Sequence, residues 1–177
     1  MKVKKFVNKN DFSCNVFICS SDKGNFIVDL GYYDQEIESY IKSLTSIDFV
    51  LQTHGHFDHI MGLNDFSLQF PDVPVYIFKD EVQVAKDAIN NGSRMMLYNS
   101  FIPNVTFKTF NEGSLQLGKY NFKVIHTPGH TQGSCMFYFK EEQLLFTGDT
   151  IIETSIGRTD LPTGDEAALF RSLNKFK

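Results

Sequence analysis

The chain has no tryptophan, five prolines and three cysteines in 177 residues, and no apolar run longer than a handful of residues. Runs that short fall well below the roughly 20 apolar residues needed to span a bilayer. No partner at a membrane is expected. Cys14, Cys19 and Cys135 make an odd count that fits no disulfide framework, so they read as buried reduced thiols of a cytoplasmic protein. Basic residues are also in short supply: 17 Lys and Arg stand against 21 Asp and Glu, for a net charge of −4. That balance argues against nucleic acid, whose binders usually carry a basic excess. The opening MKVKKFVNKNDF is basic but has no apolar stretch behind it, and it does not read as a signal peptide.

What is abundant is aromatic. Eighteen Phe and seven Tyr, with 42% hydrophobic residues overall, suffice for a real core, and the length suits one domain over 1–177. VKKFV, SCNVFICS and NFIVDL read as strands, separated by turn-formers at Asn8–Asn10 and Asp22–Gly24. Ile37, Tyr40, Ile41 and Leu44 form a helical stripe. IDFVLQT (47–53) is a short strand that runs into His54. Ile60, Leu63, Phe66 and Phe70 continue at helical spacing, VPVYIF (73–78) is a strand, and Asp80 to about Ile89 a helix stopped by Asn91-Gly92. Ser93 to Pro103 has no clear period and reads as loop or irregular helix. Strands follow near Val105–Phe110, Leu115–Leu117 and at Tyr120, Phe122 and Val124, then CMFYFK and QLLFTG. A long loop through Gly157 and Pro162 leads to a final helix, for which Thr163 and Glu166 fit a capping box. The halves echo each other: in each, an apolar strand delivers an Asp within two residues of a Gly and a helix follows. The reading is α/β, built from two similar halves.

All five histidines fall in two clusters. THGHFDH packs His54, His56, Asp58 and His59 into six residues, and HTPGHT carries His126 and His130. Residues i and i+2 leaving a strand point the same way, so His54 and His56 can approach one ion together. Asp58 and His59, opening the next helix, can face a second position beside it. His130, after a Pro-Gly turn, can close the first site, and Asp149 at a strand end can bridge both. Imidazole nitrogen and carboxylate oxygen are ligands for zinc or iron.

These motifs resemble those of the metallo-β-lactamase superfamily, whose hallmark H-x-H-x-D-H is present in full at His54–His59. HTPGHT matches its third histidine as His130, and FTGDT its bridging carboxylate as Asp149. IGRTDLPTGD (156–165) is similar to the signature loop of small glyoxalase-II-like hydrolases, and the likeness runs from about Cys14 to the last residue. The resemblance implies a four-layer αββα sandwich. It also implies two divalent ions, zinc first and iron or manganese otherwise, with His54, His56 and His130 at one, Asp58 and His59 at the other, and Asp149 shared. The activity implied is hydrolysis of a small thioester of the S-lactoylglutathione type by a metal-bound hydroxide, with Asp58 as the catalytic group that orients it. β-Lactam hydrolysis is not expected, since no cysteine occupies a ligand position.

The family pattern also has a late G-H-G histidine, and no histidine follows His130 in this sequence. The expectation is therefore a missing last βα element, an incomplete second site, and a homodimer covering the unpaired sheet edge. His126 is expected not to bind metal but to support the fold, or to back the metal ligands or the pocket rim, and Asp29 either to orient a metal-bound histidine or merely to end a strand. Arg158 and Asp160 are expected at the rim of the pocket, on a substrate carboxylate, or paired to hold their loop. Two other readings stand beside hydrolysis: a mononuclear iron persulfide dioxygenase using His54, His130 and Asp149, and a metal-binding scaffold or truncated fragment with little turnover.

Overall fold

The computed structural model describes residues 1–8 and 14–176. The turn expected at Asn8–Asn10, apart from Asn8, lies outside the described residues, as do Ser13 and Lys177. Twelve strands and six helices are found among the described residues. The first six strands make one sheet in sequential order: β1 (Lys2–Val7), β2 (Asn15–Ser21), β3 (Gly24–Val28), β4 (Phe49–Gln52), β5 (Val75–Phe78) and β6 (Phe107–Phe110). β1, β2 and β3 pair antiparallel; β3 to β6 pair parallel. The second sheet is an antiparallel set of four in the order β10 (Leu144–Phe146), β9 (Cys135–Phe139), β8 (Tyr120–His126) and β7 (Gly113–Leu117).

Alternation explains how the sheets meet. In β8, Tyr120, Phe122 and Val124 are buried while Asn121 and Lys123 are exposed. Their buried face packs with Phe26, Phe49, Leu51, Phe137 and Phe139 into an aromatic core that includes residues of both sheets. The far face of the first sheet takes Ile18, Ile27, Val50 and Ile77 against the apolar stripe of the helices. Helix α1 (Gln35–Lys42) begins where the Asp34 carboxylate accepts from Ile37 N at 2.9 Å, satisfying a free N–H of the first turn. It buries Ile37 and Ile41, as the stripe predicts.

Three local expectations need correction: the Ile60–Phe70 helix, the end of the helix from Asp80 and the cap of the last helix. The helical spacing from Ile60 to Phe70 is divided into α2 (Phe57–Ile60) and α3 (Leu63–Gln69), because Gly62 N–H donates to Leu30 O (3.0 Å) and turns the chain between them. Helix α4 (Glu81–Lys86) stops short of Ile89, since the Asp87 carboxylate accepts from the Ile89 and Asn90 N–H groups, a local turn that competes with helix. The period-free stretch opens with one turn, α5 (Ser93–Met96). The cap of α6 (Glu166–Leu173) is Asp165, which accepts from Ala168 N at 2.8 Å, and not Thr163, whose φ is +71°. The long loop before α6 also holds a hairpin of two-residue strands, β11 (Ile151–Ile152) and β12 (Ser155–Ile156).

Phe26 sits at the centre of the inter-sheet core, stacked on Phe49 at 5.1 Å and on Phe139 at 5.0 Å, with the Tyr120 ring edge-on at 4.9 Å. Phe26→Ala should therefore lower unfolding stability by about 3–5 kcal/mol. Urea denaturation measures this, and a loss below about 1 kcal/mol would contradict the packing described.

Candidate metal centre

Parallel pairing puts the C-terminal ends of β3, β4 and β5 side by side, and the chemistry collects there. Asp29 follows β3 and Thr53-His54 follows β4. His130 comes from the loop joining β8 to β9, and Asp149 from a 3-10 turn (Gly148–Thr150) after β10. Ligands at this edge of an α/β sheet need no element of their own, since the strands end where the loops can converge.

The Asp29 carboxylate holds the end of β4. It accepts from Thr53 N (2.8 Å) and from the Thr53 hydroxyl (2.7 Å), with Asp29 itself at φ +54°. Because that hydroxyl spends its hydrogen on Asp29, its oxygen is free to accept from His54 Nδ1–H at 3.1 Å. The proton is therefore on Nδ1 of His54, and Nε2 presents a lone pair. His54 Nε2 is buried and has no hydrogen-bond partner. His130 is fixed in the same sense: Nδ1–H donates to the carbonyl of Arg158 (2.8 Å) and leaves Nε2 as a lone pair. That nitrogen lies 2.8 Å from His56 Nδ1. Two imidazole nitrogens this close need a cation or a proton between them. Around one tetrahedral ion with bonds of 2.0–2.1 Å they would stand about 3.3 Å apart, so a small relaxation admits it.

Ligand atoms of His54, His56 and His130 all lie within 4.8 Å of one another, and so do those of His54, His59 and Asp149. Asp149 joins the groups: its Oδ2 is 3.5 Å from His130 Nε2 and its Oδ1 is 3.2 Å from His59 Nε2. Asp58 stands slightly off, with Oδ2 at 3.8 Å from His59 Nε2. The second group thus contains His54, with Asp58 standing beside it. His59 Nδ1 lies 3.0 Å from Asp29 Oδ2, though not aligned as a hydrogen bond. Asp29 therefore touches both Thr53 and His59.

Burial and the neighbouring imidazoles hold His54 well below 6.5 and His56 down at about 3; burial likewise lowers His130. All three are neutral at pH 7, the form that binds metal. For His59, burial works against charge but is outweighed by Cys14, Asp149, Asp29 and Asp58, which hold it well above 6.5. The Cys14 thiol is itself pushed up to about 12 by burial and is uncharged at pH 7, so the carboxylates carry the effect. Burial raises Asp58; Asp149 is drawn the other way, because His59 overcomes its burial. The three-histidine donor set fits a divalent ion: neutral nitrogens, a carboxylate beside them, and little access for water to satisfy either, whereas His59 must give up its proton before it can hold a second ion.

Other expected residues fall outside this cluster. His126 stacks on Phe78 at 4.5 Å, with Nε2 3.0 Å from Gln132 O, and takes no part in either group. The Arg158 guanidinium grips Asp160 through two bonds of 2.6 and 2.7 Å, and both side chains are exposed. It is the Arg158 carbonyl that reaches the site. Cys14, Cys19 and Cys135 are buried free thiols. Beside Asp58, His59 and Asp149 opens a cavity of about 610 Å³ whose other walls include Phe17 and Leu145. Two residues of the site were missed in the sequence, Thr53 and Glu81. Thr53 borders the histidine motif, which was its signal. Glu81 carried none, since an acid in the first turn of a helix is ordinary.

Residues 10–176 match the model of the metallo-β-lactamase superfamily. The chain belongs to that superfamily. Among its relatives is the probable metallo-hydrolase YqgX of Bacillus subtilis, 34% identical over 91% of this chain and 77% of its own length. Another is the hydroxyacylglutathione hydrolase GloC of Haemophilus influenzae, 31% identical over 88% and 74%. The solved BLEG-1 B3 metallo-β-lactamase superposes with a TM-score of 0.88 at 32% identity, over 98% of this chain and 84% of its own. A di-iron-bound form of TTHA1623 gives 0.84 at 28%, over 98% and 85%. The four-layer sandwich expected from the motifs is the fold of this superfamily. Among the described residues no helix is long and apolar enough to cross a membrane.

The lowered His56 makes a testable link to pH. Its folded form binds fewer protons than the unfolded chain between pH 6.5 and about 3, so the ion-free protein loses stability as pH falls through that window. From pH 6.5 to 5 this amounts to as much as about 2 kcal/mol. His56→Gln, measured ion-free by urea denaturation at pH 7 and pH 5, should lose less than the wild type by up to that amount. Parallel losses would show that His56 is not held neutral by its surroundings.

Proposed function

We propose that the chain is a metal-dependent hydrolase of small thioesters of the S-lactoylglutathione type. One observation carries the two-ion part of this reading: Asp149 turns one oxygen to His130 and the other to His59. His54, His56 and His130 would hold the first ion, and His59 with Asp58 the second, Asp149 serving both. Because His54 stands close to both groups, the first is expected to fill more tightly. Zinc is the proposed ion; iron and manganese accept the same donors. Divalent ions bound there supply Lewis acidity and bring the pKa of water to about 7.

The chain's own residues supply the rest. Asp58 faces the cavity, where its carboxylate can accept a hydrogen bond from the attacking water and set its direction. Lys5 at the cavity rim offers a cation to a substrate carboxylate. The cavity falls within the size range of small-molecule sites. A thiol has a pKa of about 8.5 and departs without a strong general acid, so none is demanded of the site. The thioester itself is supported by the relative named a hydroxyacylglutathione hydrolase and by the IGRTDLPTGD loop, whose Arg158 carbonyl orients His130. Lys5 and Asp58 line this cavity while Arg158 and Asp160 do not, so substrate contact is proposed for the former pair.

Assay of the purified chain on S-lactoylglutathione, a β-lactam, and a persulfide with oxygen uptake recorded decides among the chemistries. Chelator-sensitive thioester hydrolysis is expected. β-Lactam turnover or persulfide-dependent oxygen uptake without thioester hydrolysis would overturn the substrate class, and bound metal with no turnover would favour a scaffold. Within the site, Asp149→Ala should lower metal retained per chain at least tenfold in affinity and strip both positions, while Asp58→Ala should leave the three-histidine position filled. Elemental analysis after gel filtration reads this; equal metal in the two variants would remove the bridging role.

A further inference from the structure

Glu81 is a fully buried carboxylate in the first turn of α4, and no ion pair to it is found among the described residues. It is satisfied instead by N–H and O–H donors from two separate loops. Gly55 N–H donates to Oε2 at 2.6 Å and Gly133 N–H to Oε1 at 2.7 Å, lengths of charge-assisted bonds, and the Thr131 hydroxyl is a further partner. Gly55 lies between His54 and His56; Thr131 and Gly133 follow His130. One side chain therefore fastens the two loops that carry the three-histidine group.

Both anchor points are glycines for a steric reason. A Cβ on Gly55 would stand 2.8 Å from Ala85 N and 3.1 Å from Glu81 O and Oε2, and one on Gly133 would stand 3.0 Å from Oε1 and from Cγ. The loops are bare where the carboxylate meets them. The fold delivers the acid there because β5 lies parallel to β4, so the start of α4 sits beside the end of β4. A buried acid is an expensive way to fill space, since an apolar residue of similar volume packs as well without desolvating a charge. Its position is accounted for by the two loops that it joins. Apart from it, the Cys135 N–H and thiol to Thr53 O tie the same segments, but on the far side of His54 from Gly55.

We propose that Glu81 is a positioning residue of the metal centre, fixing the His54–His56 segment and the His130 loop at the spacing one ion requires. It rests on metal binding by the three histidines but not on the thioester reading. Burial pushes Glu81 up to about 7, against the pull of its three donors, so its bonds hold it partly ionised near neutrality.

The test is Glu81→Gln, which keeps the size but turns an NH₂ group against one of the two glycine N–H donors. Zn²⁺ affinity is read by competition with a chromophoric chelator, and ligand geometry by the visible d–d absorption of the Co²⁺-loaded protein; circular dichroism confirms the fold. A folded variant should bind Zn²⁺ at least tenfold more weakly than wild type, in the range seen when groups that orient ligands are removed. Its Co²⁺ spectrum should shift. Gly133→Ala, which pushes the His130 loop off an intact Glu81, should do both as well, and it keeps the question open to measurement if the first variant does not fold. Wild-type Zn²⁺ affinity and an unchanged Co²⁺ spectrum in a folded variant of either kind would overturn the role of Glu81 alone. A wild-type chain that binds neither Zn²⁺ nor Co²⁺ would overturn the metal centre and this role with it.

Discussion

Buried imidazole nitrogens with unshared lone pairs govern the site. His54 and His130 each have Nδ1–H committed to a fixed acceptor, Thr53 Oγ1 and the Arg158 carbonyl, so each turns a bare Nε2 inward. An unpartnered buried polar atom such as His54 Nε2 costs about 1–3 kcal/mol, and protonating these rings is opposed by burial and by neighbouring imidazoles. A divalent ion resolves the conflict that a proton resolves only for one nitrogen pair. The three neutral histidines and the charged Asp149 are complementary halves of that arrangement.

The scaffold's part is to make the conflict unavoidable. Parallel register sets the ends of β3, β4 and β5 in a row, and each end contributes an acid or a ligand: Asp29, His54 and Glu81. Asp29 and Glu81 both accept backbone N–H groups at that edge, so the end of β4 and the segment after it are held by carboxylates. The second sheet brings His130 and Asp149 from the opposite side. Between the sheets, a core of stacked aromatic rings gives the stiffness on which ligand spacing depends. The positive φ of Asp29 is a local strain of the kind that persists where surroundings over-determine it.

Much of this was legible beforehand, and for physical reasons. His54, His56, Asp58 and His59 stand out because four ligand-type residues within six have no other common use. Asp149 could be read from its place at the end of an apolar strand. The alternation in β8 and the stripe of α1 followed from periods of 2 and 3.6 residues. What escaped was set by tertiary contact. Glu81 looks like any acid opening a helix until the loops it joins are seen. The β11–β12 hairpin is too short to show a period. Asp165 won the cap of α6 from Thr163 because the chain turns with positive φ before the helix begins. The closeness of His54 to both ligand groups depends on ring orientation, which no spacing reveals.

Anomalous diffraction from crystals grown with Zn²⁺ tests the centre most directly. The account predicts a peak at about 2.0–2.1 Å from one nitrogen each of His54, His56 and His130, with the Asp149 carboxylate at its side. Crystals showing no peak there, or zinc held only by residues elsewhere on the surface, would contradict it.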